Sequence, residues 1–434
     1  MDADRIFRVL VARLSSHRDT ADSFTHKLLY QLLARIDGVF PDLSWLPPPA
    51  DAEIFDRDHV PWLCGATSKC GAVDFNVVAI SLSIVQELLN VPVMLEKSAI
   101  PLKKSERLAQ PSLPLVLLGG ASALYTSALF CDDPPVDGLF IGDDVPTISR
   151  LFRTCKELHE SGAEKTWILD KLAEIPGFIL PDKKLRTKIF HSAELPAEQL
   201  LEQAPILWTE DGPGSGNLQI SEGCACFCSF CAEGFGRKPY REFDAATLHT
   251  AALRQKAFMG LDNIELYSFN FSMHHDFYAI LHDLSTIFPS IGLKSQRFDA
   301  FAQDPGMIKY LHALDKSSIT CGLEGISGRL RRYLHKSLDQ NDLQKSLATI
   351  LVSPIRELKI FLVATGLEQN DDFLEFAEFL SNMQAILRNA NRQPRIIFSM
   401  TILVRFPKTP LEFEDAPSPE QCKSILRQTD QVVH

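Results

Sequence analysis

Four of the ten cysteines in this chain, Cys224, Cys226, Cys228 and Cys231, fall within eight residues. Thiolates this close repel one another unless a cation neutralises them, so a tight cluster in a reducing compartment points to a metal. A disulfide scaffold is the competing reading, but the start, Met1-Asp2-Ala3-Asp4-Arg5, lacks the apolar stretch of a secretory signal. The thiols are therefore expected to be reduced, in the cytoplasm. Structural zinc takes its ligands from two separated pairs, and no second pair follows here. Ferredoxin-type runs are spaced Cys-x2-Cys-x2-Cys or Cys-x4-Cys-x2-Cys, and neither fits. What remains is Cys224-x3-Cys228-x2-Cys231, three thiolates able to hold three irons of a 4Fe-4S cube and leave the fourth open. The scattered Cys64, Cys70, Cys131, Cys155, Cys321 and Cys422 read as small core residues.

The cluster sits in Ser221-Glu222-Gly223-Cys224-Ala225-Cys226-Phe227-Cys228-Ser229-Phe230-Cys231. This segment resembles the signature of the radical S-adenosylmethionine (radical SAM) superfamily, including the glycine before the first cysteine and the phenylalanine before the last. The resemblance implies that Cys224, Cys228 and Cys231 hold a 4Fe-4S cluster. Its open iron would chelate the methionine moiety of S-adenosylmethionine, whose reductive cleavage gives a 5'-deoxyadenosyl radical. The ring of Phe230 is expected near the adenine. Cys226 departs from the usual motif. A ligand set beginning at Cys226 leaves too short a loop to reach three cube corners, so Cys226 is expected to be a neighbour of the ligands.

At 434 residues, with 45% hydrophobic and 23% charged, the chain is too long for one core and too apolar for disorder. Residues 1–60 read as a helical segment: Ile6, Val9, Leu10 and Leu14 recur at helical spacing, as do Leu28, Leu29, Leu32 and Leu33. Residues 61–205 alternate apolar strands (Phe75–Ser81, Leu115–Leu118, Gly138–Gly142) with amphipathic helices, the pattern of a parallel sheet covered on both faces. This Rossmann-like part resembles the cobalamin-binding-like domain that precedes many radical SAM cores, in Pro114–Ser122 and Asp137–Asp144. The Asp-x-His-x-x-Gly motif that would bring an imidazole to cobalt is absent, so any cobalamin would bind without it. A basic run, Lys183–Lys188, and Gly212-Pro213-Gly214-Ser215-Gly216 mark a connector, and the latter is not read as a nucleotide loop. Over residues 206–434 the alternation restarts, with strands expected at 218–220, 263–267, 293–295, 318–322, 358–363 and 396–400. Six strands fall short of the eight that close a barrel, and the resemblance implies a partial (β/α)6 TIM-type barrel.

Active groups in such barrels sit at strand carboxyl ends. Those positions hold Ser268, Asn270 and Ser272, where the family binds the methionine amino group. They also hold Arg297, suited to a bidentate carboxylate contact, and Glu324, suited to ribose hydroxyls or an amine. Arg297 and Glu324 are the catalytic candidates beyond the cysteines. At Gly366-Leu367 a bare backbone can approach adenine. The series Ser295-x-Arg297-x-Asp299, Gly322-x-Glu324-x-x-Ser327, Leu330-Arg331-Arg332 with Lys336, and Pro407-Lys408-Thr409-Pro410 resembles a radical SAM subgroup with an appended cobalamin-like domain. Glu368 stands where that subgroup tends to have proline. His274-His275 read as surface or substrate-loop filler, with proton transfer as the alternative.

The leading expectation is a radical SAM enzyme acting on a small molecule or peptide. Cobalamin-dependent methylation is a sub-hypothesis, and a flavodoxin or ferredoxin is the expected reductant. The alternatives are transfer of the aminocarboxypropyl group of S-adenosylmethionine, or a non-catalytic metal or electron-transfer module. A net charge of -11 makes nucleic acid an improbable substrate, and the most apolar run, Leu113–Tyr125, is too short to span a membrane.

Overall fold

A sheet buried on both faces selects apolar residues at successive positions, not alternate ones. The first unit of the chain is built on this pattern. In the computed structural model, residues 6–20, 23–183, 191–192, 194–203 and 215–434 are described. Met1–Arg5, most of the basic run at 184–188 and residues 212–214 of the glycine-rich connector lie outside them. The chain divides into two units, Met1–Asn217 with Leu253–Leu261, and Leu218–Ala252 with Asp262–His434.

The first unit carries strands β1 (Phe7–Arg13), β2 (Val39–Trp45), β3 (Val77–Ser81), β4 (Leu115–Gly119), β5 (Gly138–Phe140) and β6 (Phe178–Ile179). They form one sheet in the order β2-β1-β3-β4-β5-β6, parallel except for β6. Leu10, Ala12, Val78, Ile80, Val116 and Leu118 pack into one core. Their strand neighbours Val9, Val11, Val77, Ala79, Leu115 and Leu117 pack into a second. The expected helical segment over residues 1–60 is corrected here. The helix Phe24–Ala34 forms, but Phe7–Arg13 is the strand next to the centre of the sheet. Val9, Leu10, Val11 and Ala12 are all fully buried, and a continuous apolar run on a doubly covered strand satisfies helical spacing as readily as strand spacing.

The strand order reverses at β1, so the carboxyl ends of β1 and β3 flank the topological switch point where open α/β sheets take ligands. Arg13 lies there at 3% exposure, paired at 2.9 Å with Glu87, itself 2% exposed. The Arg13 guanidinium also donates to Ser81 O at 3.1 Å and to Ser83, while the Ser15 hydroxyl donates to Glu87 at 2.6 Å. The loops after β3 and β4 are tied together, Leu82 N–H to Gly119 O at 2.8 Å and the Ser122 hydroxyl to Ser83 O at 2.7 Å. Gly120, at φ +111°, lies so close that a Cβ would meet Leu82 O at 2.4 Å.

The strand β7 (Gly216–Gln219) spans the division between the units, and the second unit holds β8 (Ser221–Glu222), β9 (Arg241–Glu242), β10 (Asn263–Tyr267), β11 (Ser290–Gly292), β12 (Ser318–Glu324), β13 (Glu357–Ala364) and β14 (Arg395–Ile402). Two three-stranded sheets form, β11-β10-β7 and β12-β13-β14, and a parallel bridge from Gln296 to Cys321 connects them. The third strand was expected at Leu293–Ser295. It lies three residues earlier, with Gln296 alone reaching the next strand. On β12 and β13, Ile319, Cys321, Leu323, Leu358, Ile360 and Leu362 are buried, whereas Thr320, Lys359 and Phe361 between them are half-buried.

A second buried ion pair braces the first unit. Arg107 and Asp137 are both fully buried, joined at 2.8 Å, and the other Asp137 oxygen accepts from Val116 N–H of β4 at 2.7 Å. Removing one partner strands the other charge, so Arg107→Ala is expected to lower unfolding stability by about 3–5 kcal/mol in urea titration.

Candidate active site

The four clustered cysteines lie on the connection between β8 and β9, which pair antiparallel. The chain leaves β8 through Gly223 at φ +78°, where a Cβ would meet Arg237 O at 2.4 Å and Pro239 O at 2.9 Å. Only glycine suits that combination of conformation and space. The returning segment is held by Arg237, which pairs with the buried Glu222 at 2.8 Å and with Glu233, and lies 5.4 Å over the Phe269 ring. Cys231 N–H bonds Cys228 O at 2.9 Å, closing the turn between these two thiols. Ser229 anchors it further, its N–H to Leu334 O at 3.0 Å and its hydroxyl to Tyr333 O at 3.0 Å. Phe230, beside it, packs against Leu334, Val363, Leu403 and Leu411, a small apolar cluster built partly from β13.

Among the described residues, no three cysteine sulfurs approach within the 4.8 Å of one another that a single ion would require. The thiols are not equivalent. Cys224 donates to Cys226, which pulls the Cys226 thiol down to about 6 and raises that of Cys224. Burial pushes Cys228 and Cys231 up. The nearby charges of Lys336 and Arg297 oppose this at Cys228, and the backbone N–H groups of Gly234 and Glu233 oppose it at Cys231.

The residues chosen at strand ends gather around this loop. Asn270, after β10, is 5% exposed, and its amide reaches Cys226 Sγ at 3.5 Å. Ser272 supports Asn270, donating to its Oδ1 at 3.0 Å, and Ser268 bonds the Ser221 hydroxyl of β8 at 2.7 Å. Met273 Sδ lies 3.8 Å from Cys226 Sγ. Arg297 does not present a free fork. Its Nε and Nη2 grip Asp299 at 2.8 Å each, so a ligand carboxylate has to compete with a neighbour already in place. Glu324, at φ +65° on the end of β12, pairs with Lys336 at 3.2 Å. After β13, Gly366 takes φ +87°, and its N–H and that of Thr365 donate to Glu368 at 2.9 and 2.7 Å. Leu367 is 43% exposed, with its carbonyl accepting from Arg329 at 2.6 Å.

Residues 25–181 match the family model described as radical SAM proteins, N-terminal. Residues 25–181 therefore carry the N-terminal domain of radical SAM proteins. The match begins at residue 25, inside the stretch read from the sequence as a helical segment. No curated protein matches this chain by sequence. The fold is similar to that of the cobalamin-dependent S-adenosylmethionine radical enzyme OxsB, solved with aqua-cobalamin and S-adenosylmethionine. That likeness has a TM-score of 0.64 at 12% identity, over 99% of this chain and 62% of OxsB. It is also similar to the radical S-adenosylmethionine methyltransferase TsrM from Kitasatospora setae, solved with cobalamin and a [4Fe-4S] cluster. Here the TM-score is 0.61 at 13% identity, over 94% of this chain and 74% of TsrM. The chain thus spans about three-fifths of OxsB, and identities this low establish the fold alone.

Asp299, Lys336 and Glu368 were in the motifs quoted from the sequence but without a role, because nothing in linear spacing shows that they neutralise or tie their neighbours. Met273 carried no signal at all. Gly223→Ala is expected to lose most reconstituted iron while the far-ultraviolet circular dichroism stays close to that of the parent. Iron per chain after gel filtration measures it.

Proposed function

We infer that this protein is a radical SAM enzyme that binds a 4Fe-4S cluster through Cys224, Cys228 and Cys231, cleaves S-adenosylmethionine reductively and modifies a small-molecule or peptide substrate. One observation carries the reading. Polar groups from the ends of β10 and β12, and from the segment after β11, converge on a cysteine loop with three thiols in the spacing of the superfamily motif. The two three-stranded sheets are read as the wall of an incomplete barrel, with this loop at its mouth. The thiol donors and their spacing fit the cluster. When bound, it supplies the electron that breaks a carbon–sulfur bond of S-adenosylmethionine, drawn from a flavodoxin- or ferredoxin-type reductant.

The chain's own residues supply positioning and charge. Asn270, braced by Ser272, presents an amide where a methionine amino or carboxylate group would lie. The Arg297–Asp299 and Lys336–Glu324 pairs set fixed dipoles beside the thiols. Phe230 and its apolar neighbours exclude water from one side of the loop. Cobalamin receives no step. The switch point of the N-terminal sheet is taken by the buried Arg13–Glu87 pair, and no imidazole is offered there by an Asp-x-His-x-x-Gly motif. Among the described residues, no helix is long and apolar enough to cross a membrane.

Anaerobically reconstituted protein given dithionite and S-adenosylmethionine is expected to release 5'-deoxyadenosine. Its absence would overturn the reading, and methylthioadenosine in its place would assign aminocarboxypropyl transfer. Cys228→Ala is expected to lose iron and product together, whereas Cys226→Ala keeps its iron. Lys336→Met is expected to slow product formation about tenfold with iron retained, as removal of an outer-shell partner does. Chromatography of the products and iron assay on the same samples check all three.

A further inference from the structure

Glu242, His274 and His275 form a second cluster of ligand-bearing side chains, chemically distinct from the thiols. Glu242 ends β9, and the two histidines follow Met273 in the loop after β10. One carboxylate oxygen and one ring nitrogen from each histidine lie within 4.8 Å of one another, the only such trio found among the described residues.

His274 is held in one tautomer, and a cation at Nδ1 would replace the hydrogen bond that this nitrogen accepts from Asp276 N–H. The His274 side chain is fully buried, and Nε2 bonds the backbone carbonyl of Phe243 at 3.0 Å. A carbonyl only accepts, so Nε2 carries the proton and the lone pair is on Nδ1. That lone pair lies 3.8 Å from Glu242 Oε2 and now accepts from Asp276 N–H at 3.1 Å. Metal-ligating histidines are oriented in this way, with the second nitrogen donating to a carbonyl or carboxylate. His275 stacks on His274 at 5.2 Å between ring centroids, and its Nδ1 meets the same Glu242 oxygen. Its Nε2 lies 3.0 Å from Asp276 Oδ2, giving it an outer-shell carboxylate as well. Two carboxylates flank two imidazoles, and the exposed edge of His275 leaves a path from solvent.

We propose that Glu242, His274 and His275 bind one divalent first-row transition ion of the zinc class. Two nitrogens and one oxygen suit such an ion, and three protein ligands leave a position for water. The ion ties β9 to the loop bearing Ser268, Asn270 and Ser272. Its role is to fix the loop that reaches the cysteines.

The test uses the full chain with its cysteines occupied by reconstituted cluster, so that thiols do not compete. Zinc is added in small excess, unbound metal is removed by gel filtration, and zinc and iron are counted together. About one zinc per chain is expected, with a nitrogen and oxygen shell in zinc-edge X-ray absorption. His275→Ala and Glu242→Gln, both at positions with solvent access, are each expected to weaken zinc retention at least about tenfold with iron unchanged. Zinc that is not retained, a sulfur-rich shell, or retention undiminished in both variants would overturn the proposal. The iron count reports the cysteine site separately, so failure there is read independently.

Discussion

Everything at this site depends on how four thiols are held close together with little opposing charge. The two cations nearest them are already spoken for, Arg297 by Asp299 and Lys336 by Glu324. Each pair is nearly neutral, so it orients a dipole at the sulfurs without supplying the positive charge that several thiolates need. Within the loop Cys224 donates to Cys226, and burial favours the neutral form of Cys228 and Cys231. Under the proposed function the loop is the donor set of the cluster. Its shape is imposed from outside by Gly223, the Glu222–Arg237 pair and the anchors of Ser229, all independent of any metal. Preorganisation of that kind lets a metal group enter without rebuilding the backbone.

The sequence was most legible where chemistry and spacing coincide. The cysteine cluster, the β/α alternation of both units and the strand-end positions of Asn270, Arg297 and Glu324 could all be read from it. The first strand could not, because a strand covered on both faces lacks the alternation that distinguishes strand from helix. Val9 to Ala12 are apolar without interruption for that reason. Local pairing was equally hidden. Arg297 looks available in the sequence, and Asp299 two residues later gives no sign that its side chain turns back to grip the guanidinium.

The N-terminal sheet shows how fold and function separate. Its order has the switch point at which related architectures hold ligands, and its fold is similar to proteins solved with cobalamin. Yet the carboxyl end of β1 bears an arginine whose partner, Glu87, comes from the segment after β3, and Ser15 and Ser83 complete a buried polar knot. A buried ion pair of this sort is costly to remove by halves and holds two loops in one register. At this position the sheet uses charge to brace itself.

The loop after β13 carries the same logic into the second unit. Its glycine invites a ligand to approach bare backbone, but the backbone is already engaged. The amides of Thr365 and Gly366 donate to Glu368, the Thr365 carbonyl accepts from Arg405 at 3.3 Å, and the Leu367 carbonyl accepts from Arg329. Glu368, where the subgroup tends to have proline, ties the turn by hydrogen bonds where a proline ring would stiffen it by fixing φ. A flat heterocycle arriving here meets few free hydrogen-bonding groups and an adjacent apolar wall of Phe230, Val363 and Leu403. Under the proposed function, recognition at this loop rests on shape and apolar contact, and polar discrimination is left to Asn270 and the paired charges of Arg297 and Glu324.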